Sequence, residues 1–230
     1  MIEVFDVSKR FGRLTALSGV TLSIGRGERV AFVGPNGSGK TTLLRALLGL
    51  IRTSGLVSVG GVDVARDPQR ALREIAYIPQ VPPPVEAPVR EVVRAIGALR
   101  GIEPRSIAEY ALSLGLDLER CASVRFAHLS GGMKQKLLAA AALAAHTPIL
   151  ACDEPTANLD ARAREVFFER IRAGNDERTV ILCSHRSDEL VPATGRIVEF
   201  REGRIVSGGE RTTLPEVPNA IACAGWRRAC

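Results

Sequence analysis

Eight residues, Gly34-Pro35-Asn36-Gly37-Ser38-Gly39-Lys40-Thr41, limit what this chain can become more than any other feature. They fit the spacing G-x-x-x-x-G-K-[ST]. Glycines at these places let successive backbone N–H groups turn toward one point, which makes an anion nest. Before them, Glu28 to Val33 (ERVAFV) turns apolar and reads as a strand. After them, Thr41 to Leu50 carries leucines at helical spacing. A helix starting at Lys40 adds its positive end to the nest. In this setting Lys40 reaches the β- and γ-phosphates of a nucleotide and the Thr41 hydroxyl coordinates Mg²⁺. Thr42 completes the nucleotide-binding stretch. A glycine turn with an exposed lysine is the competing reading, and the strand–turn–helix order argues against it.

The rest of the chain alternates in the same way. Ile2 to Val7, Val20 to Ile24 and Ile75 to Ile78 read as short strands, and Leu56 to Val64 holds short β segments around Gly60-Gly61. Val81 to Pro88 (VPPPVEAP) holds four prolines and continues neither a helix nor a central strand. Val89 to Leu118 is then helical, with breaks near Gly101, Pro104 and Gly115. Gly131 to Ala145 is a helix, Ile149 to Cys152 a buried strand, Ala161 to Arg172 a helix and Thr179 to Ser184 another buried strand. Ile197 to Phe200 and Arg204 to Val206 form a hairpin around Glu202-Gly203. Apolar strands alternating with helices imply a mostly parallel sheet covered on both faces. The expected organisation is one α/β domain over 1–210, a helical insertion at about 84–145, and a tail at 211–230.

Composition excludes several classes. The chain has 230 residues, 46% hydrophobic and 24% charged, which argues against disorder. Its longest nearly pure apolar stretch, Leu137 to Ala145, falls far short of the ~20 residues of a membrane-spanning helix. Glu3 and Asp6 sit where a signal peptide is apolar, so export of the chain is not expected. The net charge of +6 permits contact with nucleotides, nucleic acid or an anionic surface, yet the basic residues form no long run. Five scattered cysteines, Cys121, Cys152, Cys183, Cys223 and Cys230, read as thiols and not as a disulfide framework.

Two further stretches carry chemistry. Pro148 to Glu154 (PILACDE) is a strand ending in two carboxylates. Asp153 suits Mg²⁺ and Glu154 suits the general base that activates water. Leu129 to Gln135 (LSGGMKQ) opens a helix, with Ser130 as N-cap and Gly131-Gly132 leaving N–H groups exposed. That is a second anion site in a chain with one nucleotide loop.

GPNGSGKT, LSGGMKQ and ILACDEP, in that order, resemble the nucleotide-binding subunit of ATP-binding-cassette (ABC) transporters over roughly Ile2 to Gly209. The SGG signature separates this family from other phosphate-loop ATPases. The resemblance implies a phosphate-loop (RecA-like) α/β core with an N-terminal antiparallel β subdomain and an inserted helical subdomain. It also implies a head-to-tail dimer of two copies. Each ATP then lies between residues 34–42 of one copy and Ser130, Gly131, Gly132 and Gln135 of the other. Phe11 resembles the aromatic that stacks on adenine, with a core aromatic as the alternative. Gln80 resembles the glutamine that touches Mg²⁺ and the attacking water, against a solvated loop residue. Asp160, in ANLD, resembles the loop that crosses the dimer interface, and is equally an N-cap. His185 resembles the switch histidine at the γ-phosphate. His128 and His146 receive no role. Cys152 stands where such relatives usually carry a larger aliphatic residue, and Cys183 is unusual just before the switch histidine; both suit small buried hydrophobes.

The implied function is an ATPase driving a separate integral membrane permease from the cytoplasmic face of the membrane, in the direction of export, with importers of amino acids or metals as the alternative. Docking is expected near Gln80 to Pro88. VREVVRAIGALRGI and the compact length are similar to single-cassette ATPases of ABC-2-type exporters, and CSHR and PTANLD are similar to those serving copper-site assembly. A soluble ABC ATPase acting on nucleic acid or ribosomes is the rival class. It is disfavoured because there is one cassette and no sustained heptad between Lys40 and Ser130. No nucleic-acid partner is expected.

Overall fold

The computed structural model describes residues 2–173, 177–185 and 193–208. The tail at 211–230, with Cys223 and Cys230, lies outside the described residues.

Two sheets organise the chain. The first is antiparallel, ordered β2 (Leu14–Ile24), β1 (Ile2–Phe11), β4 (Ser54–Val59), β5 (Val62–Asp63). The second has six strands, in the order β10 (Arg204–Ser207), β9 (Arg196–Arg201), β3 (Arg29–Val33), β8 (Thr179–Ser184), β7 (Ile149–Asp153), β6 (Ile75–Ile78). Its neighbours pair in parallel except β10, which folds back on β9. β7 and β8 are buried along their whole length, which explains their unbroken apolar runs.

Side chains along these strands alternate between two cores. Ala31, Val33, Leu150, Cys152 and Leu182 face one core. It is filled by α5 (Gly131–Ala144), α6 (Ala161–Arg172) and the helical insertion, α3 (Val89–Arg100) and α4 (Pro104–Ser113). Val30, Phe32, Ile149, Ile181 and Cys183 face the other, against α1 (Lys40–Leu47) and the antiparallel sheet. Cys152 and Cys183 therefore sit on opposite faces, and burial pushes both thiols up. Cys121 is also a buried free thiol.

The insertion is closed where it begins. Pro88 bridges Arg125, and the N–H groups of Phe126 and Ala127 reach the carbonyls of Ala87 and Val85 at 2.9 and 3.0 Å. The proline run thus makes an extended strap beside the segment at 124–127, the conformation prolines favour. At the far end of α5, buried Arg178 donates to the carbonyls of Ala142 in the last turn, of Ala145 at the cap and of Thr147 just beyond, tying the helix end to β8.

Three details differ from the sequence expectation. β1 and β2 run on to Phe11 and start at Leu14, longer than Ile2 to Val7 and Val20 to Ile24. The pairing shifts register between Val4 and Val7, and Asp6 has φ 48°, so the period-two pattern is lost there although the strand continues. α1 stops at Leu47, short of Leu50, because Gly49 turns left-handed at φ 68°. A short helix, α2 (Pro68–Arg73), was not anticipated. Asp67 caps it by accepting from the Arg70 N–H, with Pro68 in the first position. No helix among the described residues is long and apolar enough to cross a membrane.

Candidate active site

Parallel register brings the chemistry to one edge of the six-stranded sheet. Val33 pairs Ser184, Asp153 pairs Cys183, and Cys152 pairs Ile78. The carboxyl ends of β3, β8, β7 and β6 therefore deliver Gly34, His185, Glu154 and Gln80 to the same side. In an open α/β sheet this is the edge where ligands bind.

The loop after β3 is built around close backbone approach. A Cβ on Gly34 would lie 2.2 Å from the Phe200 carbonyl, and one on Gly39 2.8 Å from that of Ala16. Both glycines also have positive φ. Ser38 accepts from the Gly203 N–H at 3.0 Å, and the Gly203 carbonyl accepts from the Ser18 N–H at 2.9 Å. The turn between β9 and β10 thus pins the loop to β2. α1 starts directly from Gly39, which has no side chain to cap it, so its first N–H groups face the loop. Lys40 is buried, and its ammonium donates to the carbonyls of Gly34 (2.6 Å) and Pro35 (3.0 Å) and lies 3.4 Å from Ser38 Oγ. The cation is held inside the ring of the loop. Pro35, Asn36 and Gly37 form its exposed rim, and Thr42 is half-buried behind Thr41.

Across the sheet edge, Thr41 Oγ1 donates to Asp153 Oδ1 at 3.0 Å. Asp153 Oδ2 is buried without a hydrogen-bond partner. Burial pushes the Asp153 carboxyl above the usual range, and the Thr41 hydrogen bond opposes this. The charge of Glu154 raises it further, while Arg45 and Lys40 draw it down. A buried carboxylate oxygen without a partner, beside a hydroxyl, is a donor set for a hard divalent cation that completes its shell with water and phosphate oxygens. The residues present fit Mg²⁺. Among the described residues no cluster of three or more His, Cys, Asp or Glu forms a cage for a metal.

Glu154 is held by its neighbours. Its φ of 48° is left-handed, a region non-glycine residues seldom occupy. Its N–H donates to the Cys183 carbonyl at 2.9 Å. Oε2 accepts from Ser184 Oγ at 3.0 Å, and Oε1 accepts from the His185 N–H at 2.9 Å. His185 Nδ1 also lies 3.0 Å from Oε1, so the tautomer carrying the Nδ1 proton donates there. His185 is otherwise exposed.

The remaining residues fall into two groups. Gln80 is exposed two positions beyond β6, and Phe11 is exposed at the end of β1 with Lys9 Nζ 5.0 Å from its ring centroid. Neither is part of the core. Ser130 caps α5 by accepting from the Met133 N–H, and Ser130 and Gly131 are exposed. No hydrogen bond or ion pair among the described residues links Ser130, Gly131 or Gly132 to the loop at 34–42. Their ties run instead to the segment after Glu154. The Asn158 carbonyl lies 2.9 Å from where a Gly132 Cβ would be, and Lys136 Nζ pairs with Asp160 Oδ2 at 2.6 Å. Asp160 also caps α6 through the Ala163 N–H.

Gln135 corrects an expectation. It is fully buried, not displayed beside Ser130, and its Nε2 donates to the Pro155 carbonyl at 3.3 Å. One turn into α5, its side chain points under the segment at 155–160 and not toward the helix's open end. Sequence reasoning also missed Ser184 and Gly203. A serine before a strand-end histidine was a usable signal for the first. The second acts through its backbone alone and left none.

The chain matches known proteins in sequence and in fold. The family model described as "ABC transporter" matches residues 17–157. The Nod factor export ATP-binding protein I of Rhizobium sp. (strain N33) is 34% identical over 220 residues, covering 94% of this chain and 72% of that protein. A solved structure described as the ATP-binding subunit of an ABC transporter superposes with TM-score 0.81 at 29% identity, covering 90% of this chain and 88% of its own. A dimeric ATP-binding cassette in a post-hydrolysis state with ADP and Pi gives TM-score 0.78 at 26% identity, covering 90% and 97%.

Proposed function

The chain belongs to the ABC transporter family as an ATPase subunit, and on that premise we propose that it powers export through a separate integral membrane permease. The observation that carries the catalytic reading is the Thr41–Asp153 hydrogen bond, which joins the phosphate loop to the strand-end acids. Residues 34–42 wrap the β- and γ-phosphates of ATP, with Lys40 exchanging its carbonyl acceptors for phosphate oxygens. Phe11 offers a stacking face to adenine. Thr41, Asp153 and Gln80 hold Mg²⁺, which neutralises phosphate charge when bound. Glu154 orients a water and takes its proton as the water oxygen bonds to the γ-phosphorus. The bond from that phosphorus to the β–γ bridging oxygen breaks, leaving ADP and phosphate. His185 holds Glu154 and turns its exposed edge to the γ-phosphate.

Two copies assemble head to tail, and Ser130, Gly131 and Gly132 of one copy cap the nucleotide of the other. Asp160 and the segment around it lie at that interface. Hydrolysis removes the phosphate that bridges the copies, and they part. The ATPase domain spans 1–210, with the helical insertion at about 84–145. The chain works peripherally at the cytoplasmic face of the membrane and docks near Gln80 to Pro88. The named function of its 31–34% identical relatives supports the direction of export.

Glu154→Gln is expected to bind ATP, dimerise and stall. Full turnover in that variant would refute Glu154 as the base. A gentle detergent pull-down is expected to recover a stoichiometric membrane protein. Recovery only with ribosomes or nucleic acid overturns the transport role and leaves the ATPase standing.

A further inference from the structure

We propose that Ser184 is a positioning residue for hydrolysis: its hydroxyl fixes the Glu154 carboxylate so that one lone pair of Oε2 is aimed at the attacking water. The inference rests on Glu154 being the base. Ser184 ends β8 and is 2% exposed, so it does not itself meet solvent or nucleotide. It acts through the 3.0 Å hydrogen bond from Oγ to Glu154 Oε2.

A carboxylate offers about two acceptor directions on each oxygen. Both directions on Oε1 are taken, by the His185 N–H at 2.9 Å and His185 Nδ1 at 3.0 Å. Ser184 takes one direction on Oε2. Among the described residues, the second direction on Oε2 is the one these three donors leave for water. The backbone makes this clamp necessary. Glu154 sits at φ 48°, a conformation its surroundings must maintain, and its side chain would otherwise sample several rotamers. The His185 contacts anchor a single oxygen and leave the carboxylate free to pivot about it. The hydroxyl on the second oxygen stops that pivot. A near-attack arrangement tolerates little such freedom.

Register supplies the clamp without extra sequence. Ser184 lies opposite Val33 on one side, and Cys183 lies opposite Asp153 on the other. The residue that ends β8 is thereby carried to the acid just beyond β7.

The test uses the full-length protein, measuring steady-state ATP turnover and equilibrium binding of a non-hydrolysable ATP analogue. Ser184→Ala is expected to lower kcat about tenfold, with KM and analogue binding unchanged. Ser184→Thr, which keeps the hydroxyl, is expected to restore kcat. In a Glu154→Gln background, Ser184→Ala is expected to change the residual rate little, because the group it positions is gone. Wild-type kcat in Ser184→Ala overturns the proposal, as does an equal loss in both backgrounds. A loss of analogue binding in step with kcat also overturns it, since that marks a structural role. Wild-type turnover in Glu154→Gln is a separate failure: it removes the base assignment, and the proposal with it.

Discussion

The edge of the central sheet and the start of α5 both present backbone N–H groups and small residues to an anion, but they are built oppositely. At the sheet edge, Ser38, Lys40, Asp153 and Glu154 are buried, and nearly every polar atom is engaged by the chain itself. At the start of α5, Ser130 and Gly131 are exposed, and beneath them Gln135 and Lys136 hold the segment at 155–160. The first region is a buried cluster whose polar atoms are held mostly by one another. The second is an outward-facing helix end, joined by no hydrogen bond or ion pair among the described residues to the loop at 34–42. In the proposed head-to-tail pair, each kind of site on one copy would meet the other kind on its partner.

The comparison breaks first at Lys40. Lys40→Ala is expected to lower ATP turnover about a thousandfold and to weaken nucleotide binding in a single copy, checked by phosphate release and titration. If the α5 end serves only the partner's nucleotide, Gly132→Ala behaves differently. The new methyl meets the Asn158 carbonyl at 2.9 Å. Turnover should fall about tenfold to a hundredfold while nucleotide binding to the isolated chain stays near wild type. Light scattering with ATP in the Glu154→Gln background should then show the dimer lost. Equal loss of single-copy binding in both variants would erase the distinction.

Smaller effects sharpen it. Gln135→Ala leaves the buried Pro155 carbonyl without its donor, and denaturant unfolding should report a loss of about 1–3 kcal/mol. Single-copy nucleotide binding should be unchanged. The least effect concerns Asp160, whose carboxyl is held below its ordinary 3.8 first by the Lys136 hydrogen bond and then by the Ala163 N–H. The ionised form is the one bound, so its stabilisation is complete above the ordinary value and is lost as pH falls through the lowered folded value. Thermal unfolding from pH 5 downward should show slightly steeper acid loss in wild type than in Lys136→Met.

Residues that act through local pattern were legible. The phosphate loop, the strand ending in Asp153-Glu154 and the Ser130 cap each announce themselves within eight residues, and α6, β6 and β8 match their expected bounds. What the sequence hid depends on register or on backbone. The full length of β1 was obscured by the bulge at Asp6, where alternation fails but pairing continues. Gln135 read as a ligand-facing residue because its position in LSGGMKQ says nothing of which way α5 is rotated. Only packing against Pro155 decides that. Ser184 belongs to the site because β8 lies between β3 and β7, a neighbourhood no local window contains.

The stitch at Gly203 has a consequence for how the protein comes into being. Ser38 leaves the ribosome well before the turn that fastens it. β3 lies between β8 and β9, so both of its hydrogen-bonding neighbours are also made late. A growing chain therefore carries its phosphate loop unfastened through most of synthesis. The contacts that hold the loop are complete only once β8, β9 and the turn at Gly203 have all been made.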